Sequence, residues 1–384
     1  MEEVQIKVID KNDPNLLKFD IKNIDVSFVN ALRRLILSDV ETVGFNTMDY
    51  NNSNIKIIEN TSSLHNEFML HRIGLIPIYN VDDPSNYKFE LNIQNKTNKT
   101  IDVTTRDFKV IDTRTNETVD TLKFFPPDPL TNDNILIIRL KSNPGGEGEK
   151  LHLEGISSVG SGKIDSRFSP VSNLVYINKV DREKFDNALV EHLDTQDKEI
   201  LEDPEKRKNI SKTFEINELQ RYYYTDSQGN PNLFEFTIES VGVMPSHIIL
   251  LKSLEKLKFK TTNFINNLKA NNDIVSIKES PTLMSGYDIV IKDETHTLGS
   301  ILQSYLNNHE KVSFVGYKNP HPLIKEIIVR ISTMSNTKEE LVIVCEETVN
   351  NINLLIDKVG QLINSEFNAQ PKIIKRRLIR KPKV

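Results

Sequence analysis

The 384-residue chain holds one cysteine, Cys345, which excludes an intramolecular disulfide and any zinc finger or iron–sulfur cluster built from several thiolates. It also lacks a run approaching the roughly eighteen apolar residues of a helical membrane span, so no membrane partner is expected. The opening residues, MEEVQIKVIDKNDP, are acidic and alternating where a secretory signal is basic and then continuously apolar, and the expectation is a protein that stays inside the cell. Excess charge is small, with 49 basic and 54 acidic residues and a net charge of -5. The whole surface therefore does not attract nucleic acid, and any basic footprint must be local.

Catalytic signatures are missing as well. There is no GxSxG, no HExxH and no cysteine in a recognisable nucleophile motif. The stretch GISSVGSGKI, Gly155 to Ile164, imitates a phosphate-binding loop, but Ser157 stands where its first glycine belongs and Ile164 replaces the magnesium-binding Ser or Thr. The acidic run DTQDKEILED has no apolar framing, and solvated helix faces account for it. Among the eight histidines, His71, His296 and His321 have no second ligand at helical i, i+4 spacing. No catalytic residue, metal or cofactor is expected, and Cys345, set in an apolar stripe, reads as a buried small hydrophobe.

What is present alternates between two grammars. VQIKVID and LLKFDIKN flank a DPN turn and predict a hairpin with one buried face. Asp25 is a candidate N-cap for an amphipathic helix with Val29, Leu32, Ile36 and Val40 on one stripe. Short strands separated by Asn, Asp, Pro and Gly clusters follow, with SNPGGEGEK and SSVGSGK read as loops and a densely charged, partly helical stretch from Asp181 to Lys212. A long helix is predicted after Met244-Pro245-Ser246, with Leu250, Leu254, Leu257, Phe264 and Leu268 on one side. The last third repeats the plan: two strands about SPTLMSG, a helix in THTLGSILQSYLNNH, two more strands, and a helix from about Thr337 to Phe367. In that helix Val342, Cys345, Val349, Ile352, Ile356, Val359 and Ile363 keep a three-four alternation. Two halves of like plan, each ending in a one-stripe helix, predict a pseudo-two-fold pairing within one chain.

Several segments contain residues that secondary structure alone does not demand. Asn30-Ala31-Leu32-Arg33-Arg34 lies in the first helix, and HNEFMLHRIGLIPI runs from His65 to Ile78; RFSPVSNLVY and FTIESVGVMPSHIILLKSLEKL follow. Together they resemble the alpha-like subunits of multisubunit DNA-directed RNA polymerase, in particular the third-largest subunit type of RNA polymerase II, over essentially residues 1 to 270. From Ile274 the likeness passes to that subunit's small partner, carried by His296, Thr297, Leu298 and Gly299 and by Gly316, Tyr317, Pro320, His321 and Pro322. Some relatives carry a cysteine cluster in the insert. This chain has none around Asp82 to Glu90.

The resemblance implies an α+β fold in which two alpha-like dimerisation modules, each an antiparallel sheet with long helices, pair within one chain. Residues 1–47 and 220–272 would form the first module, 48–219 a β-rich insert, 273–370 the second module and 371–384 a basic tail. It further implies a non-catalytic assembly scaffold that recruits the two largest polymerase subunits and other small subunits, meeting DNA and RNA only through the complex and forming no homo-oligomer. Asn30, Arg33, Arg34, His71 and Arg72 would face the large subunits. Val29, Leu32, Ile36, Leu254, Leu257, Leu298, Leu302, Val349, Ile352 and Ile356 would hold the halves together, across a linker near Asn271 to Asp273. Thr297 and Gly299 are expected to start and tighten a helix against the opposite half, and Gly74 to end one. Such fusions suggest a large DNA virus, acting in the host cytoplasm and carried in the virion; otherwise the nucleus is expected. The tail carries seven Lys or Arg residues between Lys372 and Lys383. It is either a solvated end or a contact for phosphates, an import receptor or an acidic protein. The competing function, from another class, is an independent nucleic-acid-binding transcription factor using that tail.

Overall fold

A computed structural model describes residues 3–368, except 50, 51, 80, 82, 144, 197–201 and 282–285. The basic tail, 371–384, and most of the SPTLMSG turn lie outside the described residues. The first half is built on a four-stranded antiparallel sheet in the order Gln5–Asp10, Leu16–Lys22, Leu233–Ser240, Val171–Asn178. Period-two alternation aims Leu17, Phe19, Ile21, Phe234, Phe236 and Ile238 at one face, where all are buried. Phe19 and Phe236, paired in register, stack at 5.2 Å between ring centroids. Helix α1, Val26–Ser38, covers that face after Asp25 caps it by accepting from the Ser27 N–H at 2.7 Å.

The chain then leaves the first half through Glu41–Gly44, which pairs with Ser158–Ser161, and helix α2, Asn66–Gly74. The insert contains a five-stranded antiparallel sheet, a two-stranded ribbon and a core of its own, in which Phe45, Phe89, Phe108, Phe124 and Phe125 interlock. Its extent differs from the expected 48–219. The strand Val171–Asn178 is the edge of the first half's sheet, with Leu174 and Tyr176 packed against the first half's core, so the β-rich insert ends before it. The charged stretch that follows is a two-helix arm, α3 (Arg182–Asp194) and α4 (Pro204–Glu218). Alternation marks a strand without naming the sheet it joins, so the pattern alone does not locate this boundary. The segment SSVGSGK is likewise partly strand. Gly160 lies so close to the Phe168 ring that a Cβ would sit 2.6 Å from it, and Gly162 is pressed against the Leu37 carbonyl. Gly160 serves close approach within the strand, and Gly162 does so in the turn that follows it.

The second half repeats the first: a four-stranded antiparallel sheet in the order Val275–Glu279, Tyr287–Lys292, Glu326–Thr333, Val312–Lys318. Three helices complete the pairing: α5, Ser246–Ala270; α6, His296–Asn307; and α7, Lys338–Asn368. The two long ones are shared. Ile249, Leu250, Leu254 and Leu257 of α5 lie in the first half's core, whereas Phe264, Ile265 and Leu268 lie in the second half's. Reciprocally, Leu341, Val344, Cys345 and Val349 of α7 lie in the second core, and Ile352, Ile356, Val359 and Ile363 in the first. Neither core is complete without the other half's helix.

Candidate subunit interface

Every residue expected to join the halves is buried, and they divide between the two cores. Val29, Leu32, Ile36, Leu254, Leu257, Ile352 and Ile356 lie in the first; Leu298, Leu302 and Val349 lie in the second, beside Phe264, Ile265 and Leu268 from α5. From α6, Ile301 is the residue that enters the first core. It was absent from the expected set, although the i, i+3 step from Leu298 was legible.

The residues expected to face large partner subunits separate. Arg33 donates from Nε and Nη2 to the Asn30 side-chain oxygen at 3.1 and 3.0 Å, one helical turn back, so both present a half-exposed polar surface on α1. Arg34 turns inward instead. Its Nε donates to the Thr297 hydroxyl at 2.8 Å, tying α1 to the second half. Thr297 thus sits in the first turn of α6 rather than starting it; Thr295 occupies the N-cap. Gly299 is packed against the Tyr317 ring of its own half, where a Cβ would lie 2.6 Å from it, and not against the opposite half.

Arg72 donates from Nε and Nη2 to the carbonyls of Ile137 and Leu136, both at 2.9 Å, and so clamps α2 to an insert strand. His71 is exposed. Gly74 is the last residue of α2 and has no positive φ. It is glycine because a Cβ would collide with the Arg167 guanidinium and the Thr47 hydroxyl, which are hydrogen-bonded to each other there. Burial opposes ionisation of the neighbouring Asp165, but the Arg167 backbone N–H and guanidinium outweigh it and hold that carboxyl below its usual range.

These contacts assemble one surface that motif reading did not find. Lys163 N–H donates to the Ser38 carbonyl at 2.8 Å, joining the end of α1 to the strand Ser158–Ser161, and the Thr47–Arg167–Gly74 contact joins α2. Around this junction Leu37, Met48, Leu75, Val159 and Ile164 are exposed, Ile164 at 62%. These exposed apolar side chains lie on the same junction as the half-exposed Arg33 and the exposed His71. Each occupies an otherwise unremarkable position, so no local signal identifies them.

No group of three or more His, Cys, Asp or Glu side chains is placed to share a metal ion among the described residues, and no helix among them is long and apolar enough to cross a membrane. Burial pushes the Cys345 thiol up to about 12, leaving it an uncharged core side chain.

Comparison with known proteins agrees with this architecture. The RNA polymerase Rpb3/Rpb11 dimerisation domain matches twice, over residues 18–261 and again over residues 287–359. A conjugation stage-specific protein of Tetrahymena thermophila is 27% identical over 300 residues, covering 67% of this chain and 92% of its own length. Subunit 3 of DNA-directed RNA polymerases II, IV and V of Arabidopsis thaliana is 26% identical over 304 residues (67% and 88%). The RNA polymerase subunit Rpo3 of Pyrococcus furiosus is 26% identical over 280 residues (70% and 98%). With four-stranded sheets paired through two shared helices, and the matched regions falling on both halves, the chain belongs to the RNA polymerase Rpb3/Rpb11 dimerisation-domain family as an alpha-like polymerase subunit.

Proposed function

We propose that this chain is a pre-formed, single-polypeptide counterpart of the alpha-like heterodimer, a non-catalytic scaffold on which the two largest subunits of a DNA-directed RNA polymerase assemble. One observation carries the reading: each half's core is completed by the other half's long helix, so the halves form one folding unit of the kind a dimeric foundation requires. Covalent connection replaces a concentration-dependent encounter by a high effective concentration. The surface of Leu37, Met48, Leu75, Val159 and Ile164 beside Asn30, Arg33 and His71 is the proposed seat of a large subunit. Arg34 and Arg72 brace it through bonds within the chain, Arg34 from Nε to Thr297 and Arg72 from Nε and Nη2 to the insert carbonyls.

The non-catalytic part of the proposal rests on the matched family, a dimerisation domain. The Cys345 thiol is enclosed in a core, and Asp112 is held down to about 2 by the Arg114 guanidinium beside it at the end of an insert strand. Origin in a large DNA virus, with assembly in the host cytoplasm, belongs to the same proposal and rests on the joining of two subunit types.

Purification of the tagged chain from its native source should bring down two very large partners. Arg33→Glu combined with Leu75→Asp, both at positions open to solvent, should lower that recovery at least tenfold while leaving the melting temperature of the isolated chain within about 2 °C. Undiminished recovery of both partners would remove this surface from the assembly interface.

A further inference from the structure

The two shared helices carry opposite charge. Within α5 stand Lys252, Lys256, Lys258, Lys260 and Lys269 against a single acid, Glu255, a net of +4. Within α7 stand Glu339, Glu340, Glu346, Glu347, Asp357 and Glu366 against Lys338 and Lys358, a net of -4. The helices run antiparallel: Lys258 Nζ meets Asp357 Oδ1 at 2.6 Å and Lys269 Nζ meets Glu346 Oε1 at 2.6 Å, so eleven residues forward on one helix are eleven back on the other. Midway, the Thr261 hydroxyl donates to Asn353 Oδ1 at 2.7 Å. A third lysine, Lys260, reaches Glu294 at 3.1 Å and Asp39 at 3.3 Å with all three side chains less than a fifth exposed. Burial lowers its affinity for a proton, but Glu294 and Asp39 more than offset that, and the ammonium is held above its usual range.

We infer that this charge pattern is a pairing code, which makes each half accept its unlike partner and reject a second copy of itself. It deepens the scaffold reading and rests on it. The apolar stripes cannot make that choice: the leucines of α5 would pack about as well against those of another α5 as against the branched side chains α7 brings to the same core. Like charges brought together can: Lys258 and Lys269 meet Asp357 and Glu346 of α7, whereas a second α5 in the same place would set lysine against a helix of net positive charge. The outer pairs, Lys258–Asp357 and Lys269–Glu346, are roughly half exposed, so they stabilise little as contacts. Their effect is discrimination. A newly made first half has its α5 stripe uncovered before α7 exists, and the excluded occupant is then the α5 of another chain.

The test uses the full chain. Lys258→Glu with Lys269→Glu should lower the melting temperature by about 4 °C in low salt and shift a measurable fraction of the protein from monomer to dimer by light scattering. Adding Asp357→Lys and Glu346→Lys should restore both temperature and mass, although all four native side chains are then gone. The difference between the two variants should shrink at least twofold in 0.5 M salt. A doubly reversed chain that stays monomeric at the native melting temperature would overturn the code, as would a four-residue swap that fails to recover. Recovery of large subunits by the unaltered chain is a separate measurement and can fail independently.

Discussion

The most informative residues are those whose chemistry is turned inward. Arg34 and Arg72 look from the sequence like surface cations, yet one reaches Thr297 across the pair and the other clamps two insert carbonyls. Both are charge-assisted bonds to a neutral acceptor, and the one at the part-buried Arg34 is the better shielded from water, since Arg72 is exposed. Gly74 is a second case. Replacement by Ala adds a methyl where the Arg167 guanidinium and Thr47 hydroxyl meet. It should cost about 1–3 kcal/mol as neighbours shift to admit it, measurable as a lower denaturant midpoint at unchanged slope. An unshifted midpoint would show that the Arg167–Thr47 contact yields freely. That the helix ends at a glycine after His71-Arg72 was legible; that the glycine also admits two side chains was not, because Thr47 and Arg167 lie 27 residues before it and 93 after it.

Among elements, the amphipathic helices were the most legible. Three-four spacing placed α1, α5, α6 and α7 within a residue or two, since helical periodicity is a local property. The arm of α3 and α4 is different in kind. Helix α4 has no buried residue, and the arm holds together through a small ring cluster of Phe185, His192, Phe214 and Tyr222 and an exposed Arg182–Glu215 pair. At its root Val180 and Tyr223 already form an antiparallel bridge. Replacing residues 181–222 with Asn-Gly, the pair favoured in a two-residue hairpin loop, should therefore leave the melting temperature changed by no more than about 2 °C. A loss well beyond that would mean the arm supports the sheet it grows from.

At the scale of the molecule, the exchange of helices between cores predicts cooperativity. Amides in α5, in α7 and in both four-stranded sheets should open with a common free energy in native-state hydrogen exchange, because disrupting either core removes a wall of the other. The insert, whose phenylalanine core is separate, should open independently of them. Values for α5 and α7 differing by more than about 1 kcal/mol would show that the halves are separately stable. The net charge of -5 conceals the internal division of +4 on α5 and -4 on α7, and only their juxtaposition turns two ordinary charged faces into a means of choosing a partner.

Periodicity, capping residues and the repeated strand–helix plan were enough to establish two like halves, a long one-stripe helix ending each, and a stretch of short strands between, because each is written in spacings of two to four residues. The tertiary structure alone decided which sheet Val171–Asn178 joins, that Ile301 crosses between cores, and that Arg34 reaches Thr297 while Arg72 binds insert carbonyls. Those outcomes depend on which surfaces meet across tens or hundreds of residues, and a local pattern states that a face must be covered without stating by what.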